Sequence, residues 1–326
     1  MRTLVVLCLF ALAATAAARE PGEAAPDTLA LAKMSPEELF IRASSAELQY
    51  AGDLEPARRL LVRRHGESIP YLVTELDTDQ PRERIALENI FVRIGEDAVP
   101  SLVEALAREA RRDDTTRGAR LAAYVLARIG DPAAVHPLVE LREHDEWKMR
   151  SSVADALGHL GGPEAVETLV GFLDDEDDSV RKAAAASLDR AARDEAELVL
   201  ERAVDGLLRA LEDDFYGVRY AASDALGRLG DEVVPHLAER VVRAEPRTRM
   251  MTLRSLGLVG GRDALRAIAP HLEDDDWAVR AQAAEAAGDA GTMSRSVRRR
   301  LEAMAGSDPH PLPAAKAAEA ASAAGS

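Results

Sequence analysis

The chain has 326 residues, a formal net charge of −16 and only 4% aromatic residues. This acidic balance argues against a nucleic-acid partner, because binding phosphate requires a basic surface. Few aromatic residues among 47% hydrophobic residues, with Ala and Leu dominant, argue against a strand-rich fold and favour packing of helix on helix.

The first residues have the pattern of a secretory signal peptide, assigned to residues 1–18. A basic residue precedes an apolar run from Leu4 to Leu12, and small residues continue to Ala18. Because the apolar run is short for a bilayer span, we expect cleavage near Ala18 and export to a periplasm or the extracellular space, with no stable membrane span afterwards. The alternative is a retained membrane anchor. Residues 19–34, rich in Ala, Pro and Glu, predict a flexible leader.

The only cysteine, Cys8, lies inside the apolar run of the predicted signal peptide. The processed chain is therefore expected to contain no thiol and no disulfide, which excludes redox chemistry through cysteine.

A capping box, Ser35-Pro36-Glu37-Glu38, predicts the start of the first helix. Beyond it a motif recurs about every 31 residues: an acidic residue, Val-Arg, an Ala-rich stretch, Leu and a closing Gly. The arginine position holds Arg84, Arg150, Arg181, Arg219, Arg249 and Arg280, with Ala119 in the missing place. The acidic position, five residues earlier, holds Asp79, Asp114, Asp145, Glu176, Asp214 and Asp275, with Ala244 as the break. The closing glycine is Gly95, Gly130, Gly161, Gly230, Gly260 or Gly291, with Ala192 in the Arg181 unit.

Each repeat predicts a pair of helices. From Val218 to Gly230 the apolar residues recur at steps of three and four, which is one face of an amphipathic helix that a left-handed glycine cap would end. After each glycine a second helix is predicted, often with proline in its first turn. One short pair cannot bury its apolar face alone, so neighbouring pairs must stack. The prediction is an all-α, right-handed α-α superhelix of about 8 helix-pair repeats, in a single elongated domain over residues 35–324.

The unit from Asp213 to Gly230, with the sequence DDFYGVRYAASDALGRLG, resembles HEAT repeats of the phycobilisome (PBS) lyase type. The resemblance covers roughly residues 36 to 323. It implies a HEAT/armadillo-like solenoid in which the turn Asp and the helix Arg link adjacent repeats. It also implies that the second helices line the concave face.

One repeat differs in length. The step from Arg181 to Arg219 is about seven residues longer than the others, which equals about two helical turns and predicts a local bend near Asp194 to Val204.

Acidic residues concentrate in the turns, for example at Asp174-Asp175-Glu176-Asp177-Asp178 and Asp274-Asp275-Asp276. Such an edge would attract cations or a basic partner. Helix capping is the preferred explanation over calcium, since the alternating ligands and central glycine of a calcium loop are missing. We predict no metal and no cofactor.

Three aromatic residues share one position, three residues before the arginine: Trp147, Tyr216 and Trp277. They recur at every second repeat, near the start of a helix, with an arginine one turn further on. We call these rings the aromatic ridge, and together with Arg150, Arg219 and Arg280 they are the candidate site for a protein or peptide partner. The alternative is that the rings only cover the groove between repeats.

Two enzyme classes share this repeat type. Deoxyhypusine hydroxylase, a HEAT-like di-iron enzyme, carries His-Glu pairs directly after the repeat arginine. The corresponding pairs here are Ile85-Ala86, Ser151-Ser152, Lys182-Ala183, Tyr220-Ala221, Met250-Met251 and Ala281-Gln282. Bilin lyases have no equally local signature, but their partners are not exported. We therefore predict an exported, noncatalytic scaffold or adaptor for protein interactions. The alternative is an enzyme or an accessory factor related to bilin lyases or HEAT-type hydroxylases.

Overall fold

The computed structural model describes residues 28–112, 115–193 and 195–323. The predicted signal peptide, most of the predicted leader, and the positions Asp114 and Asp194 lie outside these ranges. The chain divides into two compact units, Met1–Ala98 and Val99–Ser326.

The first unit is built from short helices. They are α1 (Thr28–Leu31), α2 (Pro36–Ser44), α3 (Leu54–Arg63), α4 (His65–Leu72) and α5 (Pro81–Ile94), with 3-10 turns at Leu48–Tyr50 and Gly95–Ala98. The predicted capping box is present, because Ser35 Oγ accepts from Glu38 N–H and the Glu38 carboxylate accepts from Ser35 N–H. Helix α2 packs on α3, and α3 packs on α5. Their apolar faces meet in a core that includes Leu39, Leu61 and Leu87.

The second unit is also built from helix pairs. Its helices are α6 (Val99–Glu109), α7 (Arg117–Ile129), α8 (Val135–Val139), α9 (Trp147–Leu160), α10 (Pro163–Phe172), α11 (Asp178–Ala191), α12 (Glu197–Ala210), α13 (Tyr216–Leu229), α14 (Val234–Arg243), α15 (Pro246–Val259), α16 (Gly261–Ile268), α17 (Trp277–Asp289), α18 (Arg295–Ser307) and α19 (Pro311–Ala323). Short 3-10 turns lie at Pro132–Ala134, Gly230–Val233 and Ala269–Glu273. No strand occurs in the part of the chain that the structure describes. The predicted all-α solenoid of helix pairs is therefore confirmed.

The helices of the second unit form two layers. Helices α7, α9, α11, α13, α15 and α17, which carry the motif, pack on one another in that order, and α19 packs on α17. We call α9, α11, α13, α15 and α17 the arginine helices. Each packs against a helix of the other layer, such as α10 on α11 and α12 on α13. Buried Ala, Val and Leu side chains fill the space between the layers.

Glycine lets neighbouring arginine helices approach closely. A Cβ atom on Gly158 would lie 2.5 Å from the Cβ of Ser187, and one on Gly257 would lie 2.8 Å from the Cα of Ala286. Helix α11 has Asp189 at the corresponding position.

The closing glycines adopt positive φ as predicted, but not all in one conformation. Gly130 is in the left-handed helical region, with φ 81° and ψ 16°. Gly230 combines φ 82° with ψ −152°. That region of backbone conformation is accessible essentially to glycine alone. The predicted left-handed helical conformation of Gly230 is therefore wrong, but the prediction that this position requires glycine is correct. Ala192, at the end of α11, keeps a right-handed helical conformation.

The longer repeat extends a helix. Helix α12 has 14 residues, whereas α10, its counterpart in the preceding repeat, has 10. Four of the additional residues therefore enter the second-layer helix and the other three lengthen the connection before it. The bend proposed for this place stays a prediction.

Candidate partner-binding surface

Four of the repeat arginines are anchored in their own turns by two backbone carbonyl groups, whereas Arg249 contacts one, that of Ala244. Nη1 of Arg150 donates to the carbonyl oxygens of His144 and Asp145 at 2.8 and 3.1 Å. The same two-carbonyl contact is made by Arg181, Arg219 and Arg280. These bonds fix the guanidinium at the start of its own helix.

The other edge of the guanidinium binds an aspartate of the next repeat. Nε and Nη2 of Arg150 donate to the two carboxylate oxygens of Asp175 at 2.7 and 2.8 Å. Planar, charge-assisted pairs of this kind are the strongest hydrogen bonds that arginine forms. Arg181 and Arg280 bind Asp213 and Asp308 through the same two nitrogens, whereas Arg249 binds Asp274 through Nη1 alone at 2.6 Å. We call the four links the arginine ladder: Arg150–Asp175, Arg181–Asp213, Arg249–Asp274 and Arg280–Asp308.

The ladder aspartates have a second role. Each lies three residues before the start of a helix and accepts the backbone N–H two residues further on, as Asp175 does from Asp177 at 2.9 Å. Asp213, Asp274 and Asp308 do the same. One carboxylate thus closes its own turn and binds the preceding repeat.

The acidic position predicted from the sequence is one residue away from the residue that forms the ladder. Glu176, Asp214 and Asp275 occupy the predicted position, and their side chains are not the main partners of the arginine. The link between turn Asp and helix Arg that the resemblance implies is present, but through the preceding residue. Because the turns contain two or more consecutive acidic residues, the sequence alone did not show which of them binds the arginine.

The electrostatics of the ladder follow from these contacts. Its hydrogen bond to Asp175 raises the pKa of Arg150, despite partial burial. Burial opposes ionisation of Asp175, but hydrogen bonds from Arg150 and from the Asp177 N–H outweigh it and lower the pKa of Asp175. The hydrogen bond from Arg280 likewise lowers the pKa of Asp308. The shifts favour the charged forms of both partners in the Arg150–Asp175 and Arg280–Asp308 links.

Two repeats break the ladder in different ways. Ala119 replaces the arginine in α7, and His144 replaces the aspartate before α9. His144 Nδ1 still accepts the N–H of Glu146 at 3.0 Å, so the turn closes without a carboxylate. At the second break Arg219 is retained, but Arg243 stands where the next aspartate would be.

The aromatic ridge lies at helix starts, as predicted. Trp147, Tyr216 and Trp277 are the first residues of α9, α13 and α17, and their exposed fractions are 40%, 64% and 44%. Helices α11 and α15, which lie between them, begin with Asp178 and Pro246.

The three rings have different neighbours. The Trp277 ring stacks on His310 with a centroid distance of 4.0 Å, and Tyr216 packs at a tilt against Phe215 at 5.0 Å. Lys148 Nζ lies 5.8 Å from the centre of the Trp147 ring. The rings therefore occupy equivalent positions on alternate arginine helices, each with a local partner.

The arginines of the candidate site differ in availability. The side chains of Arg150 and Arg280 are 7% and 14% exposed and are engaged in the ladder. Arg219 is half-buried, and within the described ranges its side chain donates hydrogen bonds only to the two carbonyl oxygens of its own turn.

Sequence reasoning missed Tyr220. Its ring is half-exposed beside Arg219, and the guanidinium of Arg254 lies 4.9 Å from its centre. Arg254 also forms an ion pair of 2.7 Å with Asp224. No repeat signal marks this position, because the residue after the repeat arginine is Ser151, Lys182, Met250 or Ala281 in other repeats, and Ala281 is buried.

The turns before α9 and α11 enclose an acidic cleft of about 830 Å³. Its lining includes Glu143, Asp145, Glu167, Asp174 and Glu176, together with the ladder residues Arg150 and Asp175. Nearby Glu167 is paired with Arg202 at 2.7 Å, and this hydrogen bond lowers the pKa of Glu167. Within the described ranges, no group of three or more His, Cys, Asp or Glu residues is arranged to hold a metal ion.

A family model of HEAT repeats matches residues 99–189 and 234–322. The chain belongs to the HEAT-repeat family. A model of the PBS lyase HEAT-like repeat also matches residues 218–242. These residues include most of the repeat on which the sequence resemblance was based, so that resemblance is confirmed. No curated protein matches the chain.

Solved structures share the HEAT fold with this chain. A crystal structure of importin beta superposes with a TM-score of 0.51 at 14% identity, over 89% of this chain and 46% of that chain. Human deoxyhypusine hydroxylase in complex with glycerol gives 0.35 at 22% identity, over 83% and 99%. The complex of CpcE and CpcF of phycocyanin lyase from Nostoc sp. PCC7120 gives 0.35 at 19%, over 77% and 96%. No helix of the described residues has both the length and the apolar character to cross a bilayer.

Proposed function

We propose that this HEAT-repeat protein is an exported, noncatalytic scaffold or adaptor that binds a protein or peptide through the aromatic ridge. The observation that carries the proposal is the exposure of Trp147, Tyr216 and Trp277 at equivalent places on alternate arginine helices. Large aromatic side chains are the residues most enriched among energetically dominant contacts of protein interfaces. The aromatic content of the chain is low, so two tryptophans at one repeated exposed position are a notable concentration.

The ladder supports this role through rigidity. Arg150 and Arg280 lie one turn after Trp147 and Trp277, and their links to Asp175 and Asp308 hold the helix starts that carry the rings. Rings on a fixed backbone lose little conformational entropy when a partner binds. In this proposal Arg150 and Arg280 position the ridge, whereas Arg219 is available to contact the partner.

The test is capture of exported proteins on the immobilised full chain, followed by reconstitution with the purified partner and calorimetry. The triple variant Trp147→Ala, Tyr216→Ala, Trp277→Ala is expected to weaken binding at least about a hundredfold, since a buried interface aromatic contributes about 2 kcal/mol or more. A matched control is Tyr124→Ala with Leu198→Ala, which removes exposed apolar side chains outside the ridge. Unchanged affinity of the triple variant would remove the ridge from the proposal.

Two further measurements address export and catalysis. N-terminal sequencing of the secreted chain is expected to begin close to residue 19, and a chain that starts at Met1 in the membrane fraction would favour the retained anchor. Metal analysis is expected to find no stoichiometric iron. Stoichiometric iron would favour the alternative of a HEAT-type hydroxylase over a scaffold.

A further inference from the structure

The arginine ladder is interrupted at Arg219. Nη1 of this residue donates to the carbonyl oxygens of Asp213 and Asp214 at 2.7 and 2.8 Å, as in the intact links. In Arg150, which has the same two contacts, Nε and Nη2 then bind a carboxylate. Among the described residues, none accepts a hydrogen bond from Nε or Nη2 of Arg219. The guanidinium is therefore held in the ladder orientation with its carboxylate-binding edge unused.

The cause lies in the following repeat. The position three residues before α15 holds Arg243, where Asp213 and Asp274 precede α13 and α17. Arg243 is paired with Glu239 of its own helix at 2.7 Å, and its side chain is mostly exposed. The ladder thus has its arginine, Arg219, on α13 but no acid at the matching position before α15.

A second arginine lies at the same point. Nη2 of Arg247 donates to the carbonyl oxygen of Asp213 at 2.8 Å, the same oxygen that accepts from Arg219. Two guanidinium groups that share one acceptor oxygen must lie side by side. They come from successive arginine helices, α13 and α15.

The nearby carboxylates do not neutralise this pair. Both oxygens of the Asp213 carboxylate are bound by Arg181, and the Glu212 carboxylate is bound by Arg240. Asp214 is the remaining one in this turn, and it lies 3.6 Å from Arg247 with a fully exposed side chain. Two arginines therefore meet one loosely held, solvated carboxylate.

We propose that Arg219 and Arg247 form a binding site for a carboxylate of the partner, in the place that Asp175, Asp213 and Asp308 fill elsewhere in the ladder. The inference rests on the proposed partner-binding function and gives that partner a chemistry. A guanidinium fork matches the two oxygens of a carboxylate, and its hydrogen bonds are strengthened by charge. Tyr216, the most exposed ring of the ridge, lies one helical turn before Arg219 and would pack against the group that carries the acid.

The direct test uses acetate as the probe and the full chain labelled at arginine Nε. The Arg219 resonance, identified by its loss in Arg219→Lys, is expected to shift and saturate with acetate, while sodium chloride at equal ionic strength has no such effect. Arg243→Asp restores the internal acid and should weaken acetate binding about tenfold or more, because the site is then occupied. Arg247→Ala leaves the Arg219 turn contacts intact and should also weaken it.

Arg266→Ala is the matched control. It removes one positive charge from an exposed ion pair with Asp263 in the same unit. Acetate affinity should not change in this variant. Equal responses to acetate and chloride, or equal acetate affinity with and without Arg243→Asp, would overturn the inference.

Two peptides distinguish the sources of the carboxylate. One is acetylated, amidated and contains a single Glu, and the other has a free terminal carboxylate and no acidic side chain. Displacement of acetate by the first identifies an acidic side chain, and displacement by the second identifies a chain terminus. Displacement by neither contradicts the site.

A captured partner separates this inference from the proposed function. A partner that binds the Arg243→Asp variant as tightly as the unaltered chain would overturn the carboxylate site and leave the scaffold role intact. If the unaltered chain captures no partner, the scaffold role fails, whereas saturable acetate binding at Arg219 would still be measured.

Discussion

The carboxylate of Asp189, which is completely buried, accepts hydrogen bonds of 2.8 and 2.7 Å from Nε and Nη2 of Arg228. This pair joins α11 to α13. On the other arginine helices the position of Asp189 is glycine, namely Gly158, Gly227, Gly257 and Gly288. An ion pair has thus replaced close backbone approach at one junction, in the same repeat that lacks its closing glycine and has the longer second-layer helix.

Removing Arg228 should destabilise the second unit strongly. In Arg228→Ala the Asp189 carboxylate stays buried with only Arg193, at 3.5 Å, as an ion-pair partner. Removing one partner of a buried ion pair, so that the other charge stays buried without it, lowers the unfolding free energy by about 3 kcal/mol. Urea denaturation followed by circular dichroism measures it.

Removal of the other partner of this ion pair provides the comparison. In Asp189→Ala the remaining Arg228 is half-exposed and can be hydrated, so we expect a loss clearly smaller than that of Arg228→Ala. Equal losses would mean that the pair contributes through its packing and not through the buried charge.

A methyl group should separate two arginine helices at Gly257. The added Cβ would lie 2.8 Å from the backbone Cα of Ala286, which cannot move without shifting α17. We expect Gly257→Ala to lower the unfolding free energy by about 2 kcal/mol.

Gly171 provides the matched control. It lies in α10 with no atom within 4 Å of an added Cβ. Gly171→Ala should raise stability by about 0.5 kcal/mol, because alanine loses less conformational freedom in a helix. Similar effects of the two substitutions in thermal denaturation would exclude close packing as the reason for Gly257.

Acid should weaken the arginine ladder. The folded pKa values of Asp175 and Asp308 lie below the ordinary aspartate value of 3.8 for the reasons given above. The stabilisation is therefore fully present above the unfolded value and is lost as the pH falls from about 4 through the folded values. Unfolding free energies measured between pH 6 and pH 3, in the unaltered chain and in Asp308→Asn, test this. The variant should show a shallower loss, and identical pH profiles would contradict the assignment.

Completing the ladder should stabilise the chain. Arg243→Asp places a carboxylate three residues before α15, as Asp175 and Asp213 stand before α11 and α13. Residue 243 is the last residue of α14, so the new carboxylate pairs with Arg219 when this helix end adopts the geometry of the other turns. We expect a gain of about 1 kcal/mol in unfolding free energy, because a partly buried bidentate ion pair stabilises the fold more than an ordinary surface ion pair does. A loss of stability would show that the α13–α15 turn cannot adopt the geometry of the other turns.

The sequence was sufficient to predict the helix pairs and their order. The motif phase located the starts of α9, α13 and α17 because Trp147, Tyr216 and Trp277 stand at a fixed distance from the arginine. The motif could not specify which acid of Asp174-Asp175-Glu176 binds Arg150, because each of the three carries a carboxylate and the sequence does not show which one faces the arginine. Only the turn geometry, in which Asp175 also accepts the N–H of Asp177, selects one.

The candidate site was only partly predictable. Exposure of the three rings agrees with their position at helix starts, but the sequence did not separate Arg150 and Arg280, which are bound in the ladder, from Arg219. That difference arises because Arg243 belongs to the next repeat, and its position relative to Arg219 depends on how the layers stack. Tyr220 could not be predicted, because the residue after the repeat arginine differs in every repeat and only the stacking of α15 on α13 brings Arg254 over its ring.

The gap at Arg219 also bears on how the array would come apart. From α9 to α19, within the described residues, every junction between successive motif helices has a ladder link except that between α13 and α15. Other polar contacts cross this junction, namely Arg254 with Asp224 and Ser255 with Ser223. In a stack whose stability is the sum of nearest-neighbour couplings, a junction without its ladder link is nevertheless where we expect cooperativity to fail first. The second unit is thus expected to melt as two blocks that part between Leu229 and Pro246, and a carboxylate bound there from outside would fuse them into one.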